Sequence, residues 1–339
     1  MFLEITKDDE WGKMKALALM SGGLDSTLAT RMILDQGLQV EAINFVSPFC
    51  LCEKGGCGAV GVAKKFDIPL KVVSVGKEYL KIIRKPKHGY GRNMNPCIDC
   101  RIFMLRRAKK YAKEVGASFI FTGEVLGERP MSQHRQALEI IEREAGLKGK
   151  ILRPLSARIL PRTEAEEKGW ISRERLLDIQ GRSRRRQIET ARELNITDYP
   201  CPAGGCLLTY KEFADKLKDL FEHKKRVTLE DVFLLKVGRH FRFEENKIVV
   251  GRNESENKIL LQSKAKNDYC FEAQECGSPI TLLQGQKEGK AVKVAASLTA
   301  YYSDQKTGKV SVKFNDGNME KLMLVSIPSK EEVEKLRIH

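Results

Sequence analysis

The chain has 339 residues, 42% hydrophobic and 31% charged, with a formal net charge of +15 and a pI near 9.3. That is long enough for two or three domains with real cores, and the balance is that of a soluble globular protein. No apolar run approaches a membrane span, and the acidic start Met1–Glu10 has no apolar signal core, so neither export nor membrane insertion is expected and a cytoplasmic location is.

Residues 1–15 read as a polar lead-in. Ala16–Met20, short and apolar, predicts a parallel strand covered on both faces. A small-residue loop, Ser21-Gly-Gly-Leu-Asp-Ser26, leads to a helix over Thr27–Gln36. Strand Gln39–Phe45, a cysteine-bearing loop, helix Ala59–Phe66, strand Leu70–Ser74 and helix Lys77–Arg84 follow. After a Gly/Asn/Pro/Lys-rich loop come helix Ile98–Val115, strand Ser118–Thr122 and helix Met131–Ala145. Strands alternating with helices predict an α/β fold with a Rossmann-like, doubly wound parallel sheet, which binds ligands beyond the carboxyl ends of its strands. The Ser21–Ser26 loop, the Cys50 loop and Thr122-Gly-Glu124 all fall at such ends.

Residues 150–210 are short elements rich in arginine, with Gly181-Arg-Ser-Arg-Arg-Arg-Gln-Ile188 opening a helix to about Leu194. Helix Phe213–Glu222 and the charged link His223–Arg226 mark a boundary. The remainder predicts a β-rich α+β domain with strands at Lys247–Val250, Ala291–Leu298, Lys309–Phe314 and Lys321–Ile327. The expected division is 1–210, a helical linker over 211–226, and 227–339.

The Ser21–Ser26 loop suits a phosphate. Gly22 and Gly23 let backbone N–H groups close on an anion, the following helix aims its positive end there, and Ser21 and Ser26 add hydroxyl donors. Asp25 would hold Mg²⁺ or order the loop. The Gly-Lys-Ser/Thr ending of a Walker A loop is absent. In a reducing compartment the nine cysteines are expected as thiols or metal ligands. Cys97 and Cys100 form C-x-x-C at a helix start, where thiolate is favoured, with Cys201 and Cys206 far downstream. Three readings stand open: a three-thiolate iron–sulfur cluster, a persulfide-carrying pair with a resolving thiol, or a closed structural zinc site. Cys50, Cys52 and Cys57 read as thiols packing a Gly-rich loop, or as a zinc or sulfur-delivery site. Cys270 and Cys276 read as core fillers.

The charge surplus suits a polyanion, since neutralised phosphates release counterions; the blander reading is a lysine-rich solvated surface. Arg182, Arg184, Arg185 and Arg186, with Arg173 and Arg175 upstream, present planar forks suited to phosphates, or a solvated helix face paired with Glu174, Asp178 and Glu189. Arg129, Gln133, His134 and Arg135 are weaker candidates for the same contact.

Ser21-Gly-Gly-Leu-Asp-Ser26 resembles the pyrophosphate loop of ATP pyrophosphatases, which cleave ATP between its α- and β-phosphates and adenylate a carbonyl or carboxylate. Asn95-Pro-Cys-Ile-Asp-Cys100 is similar to a segment of tRNA 2-thiouridylases. Thr122-Gly-Glu-Val-Leu-Gly127, followed by Ser132-Gln133, is similar to a segment of tRNA 4-thiouridine synthetases. The first 210 residues therefore resemble the pyrophosphate-loop tRNA thiolation superfamily. The resemblance implies an adenine nucleotide alpha hydrolase-like fold, ATP and Mg²⁺ held through Ser21, Gly22, Gly23, Asp25, Ser26, Thr122 and Gly123, and tRNA as substrate. It implies a 4Fe–4S cluster on Cys97, Cys100 and Cys206, with Cys201 the alternate third ligand. It further implies Cys97 and Cys206 as sulfur-handling residues and sulfide or a persulfide as donor. Two departures stand out. The Asp that 2-thiouridylases carry just upstream of Asn-Pro-Cys is replaced by Arg92-Asn-Met94, leaving Asp99 as the expected acid/base. Neither an RNA-capturing domain ahead of the loop nor a rhodanese domain is expected. Val250-Gly-Arg-Asn253 with Glu256-Asn257 resembles an RNA-binding module at the end of some ribosome-associated proteins, and Phe241, Phe243, Tyr301 and Tyr302 interleave with basic residues there. Two other functions compete: an adenylating ligase for a small molecule, and a non-catalytic RNA-binding protein. A homodimer through the C-terminal domain has no sequence signature.

Overall fold

A computed structural model describes residues 14–51, 58–197, 199, 205–315 and 319–339; Cys52, Cys57 and Cys201 lie outside the described residues. The chain divides into two units, Met1–Thr209 and Tyr210–His339.

In the first unit, strands β1 (Lys15–Leu19), β2 (Gln39–Val46), β3 (Leu70–Ser74), β4 (Phe119–Thr122) and β5 (Ile151–Leu152) form one parallel sheet in the order β3-β2-β1-β4-β5. The apolar run of β1 is buried on both faces. Ala16 and Ala18 join Phe119 and Phe121 of β4 against helix Leu24–Leu34. Leu17 joins Ile43 and Ile120 against helices Cys97–Glu114 and Arg135–Ala145. The sheet is thus doubly wound. Its strand order reverses between β1 and β4, so their carboxyl ends splay apart and open a crevice. The first helix begins at Leu24, earlier than the expected Thr27, because Leu24 is itself buried and Gly23 takes the N-cap position. The helix expected from Met131 begins at Arg135, where the His134 ring accepts the N–H of Ala137 as an N-cap.

The second unit is a six-stranded sheet, antiparallel throughout: β6 (Arg239–Phe243), β7 (Asn246–Val250), β8 (Tyr269–Ala273), β9 (Thr281–Gln284), β10 (Lys309–Asn315) and β11 (Glu320–Ser326), in the order β11-β10-β8-β9-β7-β6. The expected strand over Ala291–Leu298 is instead part of a helix, Gly289–Tyr301. Its apolar residues alternate only at the start. Ala291, Val292, Ala295, Ala296 and Leu298 are buried at helical spacing, and alanine favours helix. The helix Lys211–His223, expected as a linker, packs into this unit, where Asp219 accepts Arg242 Nε at 2.8 Å. Among the described residues no helix is long and apolar enough to cross a membrane.

Candidate active site

A cavity of about 310 Å³ opens at the carboxyl ends of β1, β2 and β4. Its walls combine the Ser21–Ser26 loop, Thr122–Glu124, the cysteine pair of helix Cys97–Glu114, and Cys206.

The loop is shaped by its own hydroxyls. Ser26 Oγ accepts the N–H of Gly22 at 3.1 Å and donates to the Gly23 carbonyl at 3.0 Å. Ser21 Oγ accepts the N–H of Gly23 at 3.4 Å and lies 3.2 Å from Ser26 Oγ. Gly22 has φ +79, a left-handed conformation that a side chain resists. Gly123 matters for a different reason: a Cβ there would lie 2.4 Å from the Ser26 nitrogen and 2.5 Å from the Asp25 carbonyl carbon. The end of β4 therefore packs backbone to backbone against the start of the first helix, which only glycine permits. The first N–H groups of that helix have no acceptor within it and face the crevice with the positive end of the dipole.

Asp25 is held among charges. Burial, then Glu128, pushes its carboxyl up to about 6, against the pull of Arg184 and Arg129. Its Oδ1 is buried without a hydrogen-bond partner. Arg184 Nη2 stands 3.8 Å from Asp25 Oδ2 and 2.6 Å from Glu128 Oε1. Arg184 arrives there because Gly181 N–H donates to the Leu126 carbonyl at 2.7 Å, docking its segment onto the loop after β4. Of the arginines expected to meet RNA, Arg184 thus lines the cavity, Arg182 and Arg185 are exposed, and Arg186 pairs with Asp178 at 2.6 Å.

Below the crevice lies a buried charge network. Glu124 is met by Arg153 Nε at 3.1 Å and Arg101 Nε at 3.2 Å, and Arg153 Nη1 reaches Glu142 at 2.5 Å. Both cations hold the Glu124 carboxyl below the usual range despite its burial. Thr122 donates its hydroxyl to Glu124 at 3.2 Å. The sequence motif Thr122-Gly-Glu124 is therefore one rigid corner: glycine for contact with the loop, and threonine and glutamate to anchor two arginines.

The cysteines converge from three stretches of chain. Cys97 opens its helix and Cys100 sits one turn along. Cys206 is carried in by a segment clamped from two sides. Met94 N–H donates to the Leu208 carbonyl at 3.1 Å and Asn93 Nδ2 to the Thr209 carbonyl at 2.7 Å. On the other side Leu207 N–H donates to the Phe49 carbonyl at 2.8 Å, and Cys50 pairs with Cys206 as an antiparallel bridge. Cys50 lines the same cavity, as expected from the position of its loop at the carboxyl end of β2; its pairing with Cys206 was not foreseen. Tyr79, also unforeseen, donates its hydroxyl to Cys100 Sγ at 3.0 Å, and Ser132 and Asn95 hydrogen-bond the Cys97 thiol. The helix start was expected to favour thiolate; burial overrides it. Cys97 and Cys100 are both raised by desolvation, and Cys206 is pushed up to about 12. Among the described residues no group of three or more His, Cys, Asp or Glu side chains is gathered into a ready metal site. Asp99 does not reach the cavity lining. Its two oxygens accept the N–H groups of Lys87 and His88, each at 3.0 Å, and so fasten the loop ahead of Cys97.

Residues 12–158 match the family of the thiamine biosynthesis protein ThiI, and residues 238–337 match the NFACT protein RNA binding domain. Over 117 residues the chain is 31% identical to a probable tRNA sulfurtransferase of Ureaplasma parvum serovar 3, a match covering 34% of this chain and 30% of that protein. Over 119 residues it is 35% identical to a tRNA-specific 2-thiouridylase of Syntrophotalea carbinolica, covering 32% of this chain and 33% of that one. Among solved structures, the U34-tRNA thiolase of Methanococcus maripaludis with its 4Fe–4S cluster is 17% identical, with a TM-score of 0.32 over 66% of this chain and 69% of that one. The matched stretch spans about a third of the length of these curated relatives. Residues 12–158 are thus similar to the ThiI family and to proteins named tRNA sulfurtransferase and 2-thiouridylase, and residues 238–337 to the NFACT protein RNA binding domain.

Proposed function

We propose that this chain is an ATP-dependent tRNA sulfurtransferase of the cytoplasm, which adenylates a uridine carbonyl and replaces its oxygen with sulfur to give 4-thiouridine or 2-thiouridine. The observation that carries this reading is that one cavity is lined by both the Ser21–Ser26 loop and Cys97, Cys100 and Cys206. In this reading a nucleotide-activating loop and a sulfur site share one space.

In this reading the loop and first helical turn take the phosphates of ATP. Phosphate oxygens displace the Ser21 and Ser26 hydroxyls from the Gly22 and Gly23 N–H groups, and those fixed donors stabilise charge that grows as pyrophosphate leaves. The buried, unpartnered Oδ1 of Asp25 fits Mg²⁺, which would neutralise the triphosphate. The uridine oxygen attacks the α-phosphate and becomes part of a good leaving group, AMP. Three half-buried thiols with raised proton affinity suit a cationic metal partner, and their donor set fits a 4Fe–4S cluster held by Cys97, Cys100 and Cys206, which would supply an open iron for sulfide. Arg129 acts electrostatically on both Asp25 and Cys97, so its charge bridges the nucleotide and sulfur halves. A base in a stacked helix cannot enter such a cavity, so the nucleotide must be extruded. Arg182, Arg185 and the NFACT-type unit would hold the surrounding RNA.

Two assays on anaerobically prepared protein test this reading. Pyrophosphate release is expected to require both ATP and tRNA, and broad visible absorption with bound iron is expected to disappear in Cys97→Ser. Pyrophosphate release without RNA, from a colourless zinc-bound protein, would point instead to a small-molecule ligase with a structural metal.

A further inference from the structure

Cys50 stands outside the three-cysteine set, yet the backbone places it opposite Cys206. Leu51 N–H donates to the Gly205 carbonyl at 3.3 Å and Leu207 N–H donates to the Phe49 carbonyl at 2.8 Å. These bonds flank the Cys50–Cys206 bridge rather than joining the two residues directly, which makes them a non-hydrogen-bonded antiparallel pair. In such pairs the Cα atoms approach to about 4.5 Å and the side chains project from the same face, within the separation that a disulfide spans. The register is pinned from the other face. A Cβ on Gly205 would lie 2.0 Å from Leu51 Cδ1, so the Leu51 side chain is seated over bare glycine backbone. A slip of one residue would turn the shifted strand's cysteine away from the cavity that both now line.

We infer that Cys50 and Cys206 form a reversible intrachain disulfide, a modification site that competes with the use of Cys206 in the sulfur site. The oxidant is a low-molecular-weight disulfide. One cysteine thiolate attacks it, giving a mixed disulfide and one released thiol. The second cysteine thiolate then attacks the protein sulfur of that mixed disulfide, releasing the second thiol and closing the Cys50–Cys206 bond. The two cysteines together lose two electrons and two protons; the oxidant gains both. A dithiol reverses the exchange. The consequence for catalysis rests on the function proposed above, since the bond takes Cys206 away from Cys97 and Cys100. The bond itself does not depend on that function.

The full chain, stripped of metal, is treated with oxidised glutathione, alkylated, digested with trypsin and mapped by mass spectrometry. Cys50 shares a tryptic peptide with Cys52, and Cys206 shares one with Cys201. The mapping is therefore done in a Cys52→Ser/Cys201→Ser background, and in the unchanged chain with fragment spectra that separate each pair should that background fail to fold. The expected result is Cys50–Cys206 as the predominant linked pair, unaffected by Cys97→Ser and formed at least tenfold more slowly after reconstitution with iron and sulfide. Predominant Cys97–Cys206 or Cys97–Cys100 linkage, or a Cys50 that stays fully alkylatable, overturns the inference. A disulfide that forms equally fast in reconstituted protein leaves the bond and removes its competition with the cluster. If the Cys50–Cys206 bond forms as expected but the reduced, cluster-reconstituted protein does not thiolate tRNA, the proposed function alone fails.

Discussion

Gly123→Ala isolates the contact on which the nucleotide half of the site depends. The added methyl carbon would sit 2.4 Å from the Ser26 nitrogen and 2.5 Å from the Asp25 carbonyl carbon, both main-chain atoms that cannot rotate away. Ordinary contact needs roughly 3.5 Å or more, so the end of β4 and the loop must part by about 1 Å. Overpacking of this kind costs about 1–3 kcal/mol, which lowers Tm by roughly 2–12 °C for a unit of this size. The effect on ATP should be larger than the effect on folding. A displacement of that size at a reacting centre costs on the order of a hundredfold in rate. Gly61→Ala is the control. Gly61 is exposed in the helix Ala59–Lys65, a Cβ there meets nothing within 4 Å, and the change should stabilise by about 0.5–1 kcal/mol. Thermal melts with and without ATP and calorimetric ATP titration read the stability and binding effects, and pyrophosphate release with ATP and tRNA reads the rate. A Gly123→Ala protein that melts and binds ATP like the unchanged chain would refute the packing argument and the assignment of this crevice to ATP.

Asp25 carries a pH signature. Its pKa rises from 3.8 to about 6 on folding, so the folded state holds the proton more tightly than the unfolded state. Its contribution is fully present below pH 3.8 and is lost as pH rises through about 6, a swing of up to about 3 kcal/mol. Asp25→Asn should therefore raise urea stability at pH 8 without Mg²⁺ while abolishing pyrophosphate release; an unchanged or lowered stability contradicts the burial argument. Arg153→Met leaves Glu124 with Arg101 alone and deprives Glu142 of its arginine, and should cost about 3 kcal/mol by urea unfolding, whereas a loss under about 1 kcal/mol would mean the network is not buried as described. Replacing Arg182, Arg185 and Arg186 with Ser should reduce the slope of log affinity against log salt for tRNA by about 2, since Arg186 is already paired with Asp178. An unchanged slope returns them to a solvated face.

Much of the first unit was legible because its signals are local. A short apolar run, two glycines and a following helix specify strand, turn and helix within a dozen residues. The parallel sheet buries β1 on both faces, so its position shows as an unbroken apolar stretch. The alanine-rich helix Gly289–Tyr301 was misread because its first residues alternate like a strand while its later ones follow helical spacing. Tyr79 and the partners of Cys50 and Arg184 illustrate what a sequence hides: the Tyr79–Cys100 hydrogen bond, the Cys50–Cys206 pairing and the approach of Arg184 to Asp25 all join distant segments. Helix-start geometry correctly placed Cys97 but not its electrostatics, because burial depends on what the rest of the chain lays over the thiol. Asp99 looked chemical by its position between two cysteines, yet its oxygens are spent on the backbone of Lys87 and His88.

The central claim is that activation by ATP and delivery of sulfur occur on the same uridine in this one cavity. Unmodified tRNA, ATP, Mg²⁺ and sulfide incubated anaerobically with the protein, followed by mass spectrometry of the nucleosides, tests it directly. The account predicts a thiouridine with oxygen replaced by sulfur, formed with AMP and lost in both Asp25→Asn and Cys206→Ser. AMP accumulating without any thionucleoside, in protein whose iron content shows an intact cluster, would contradict it.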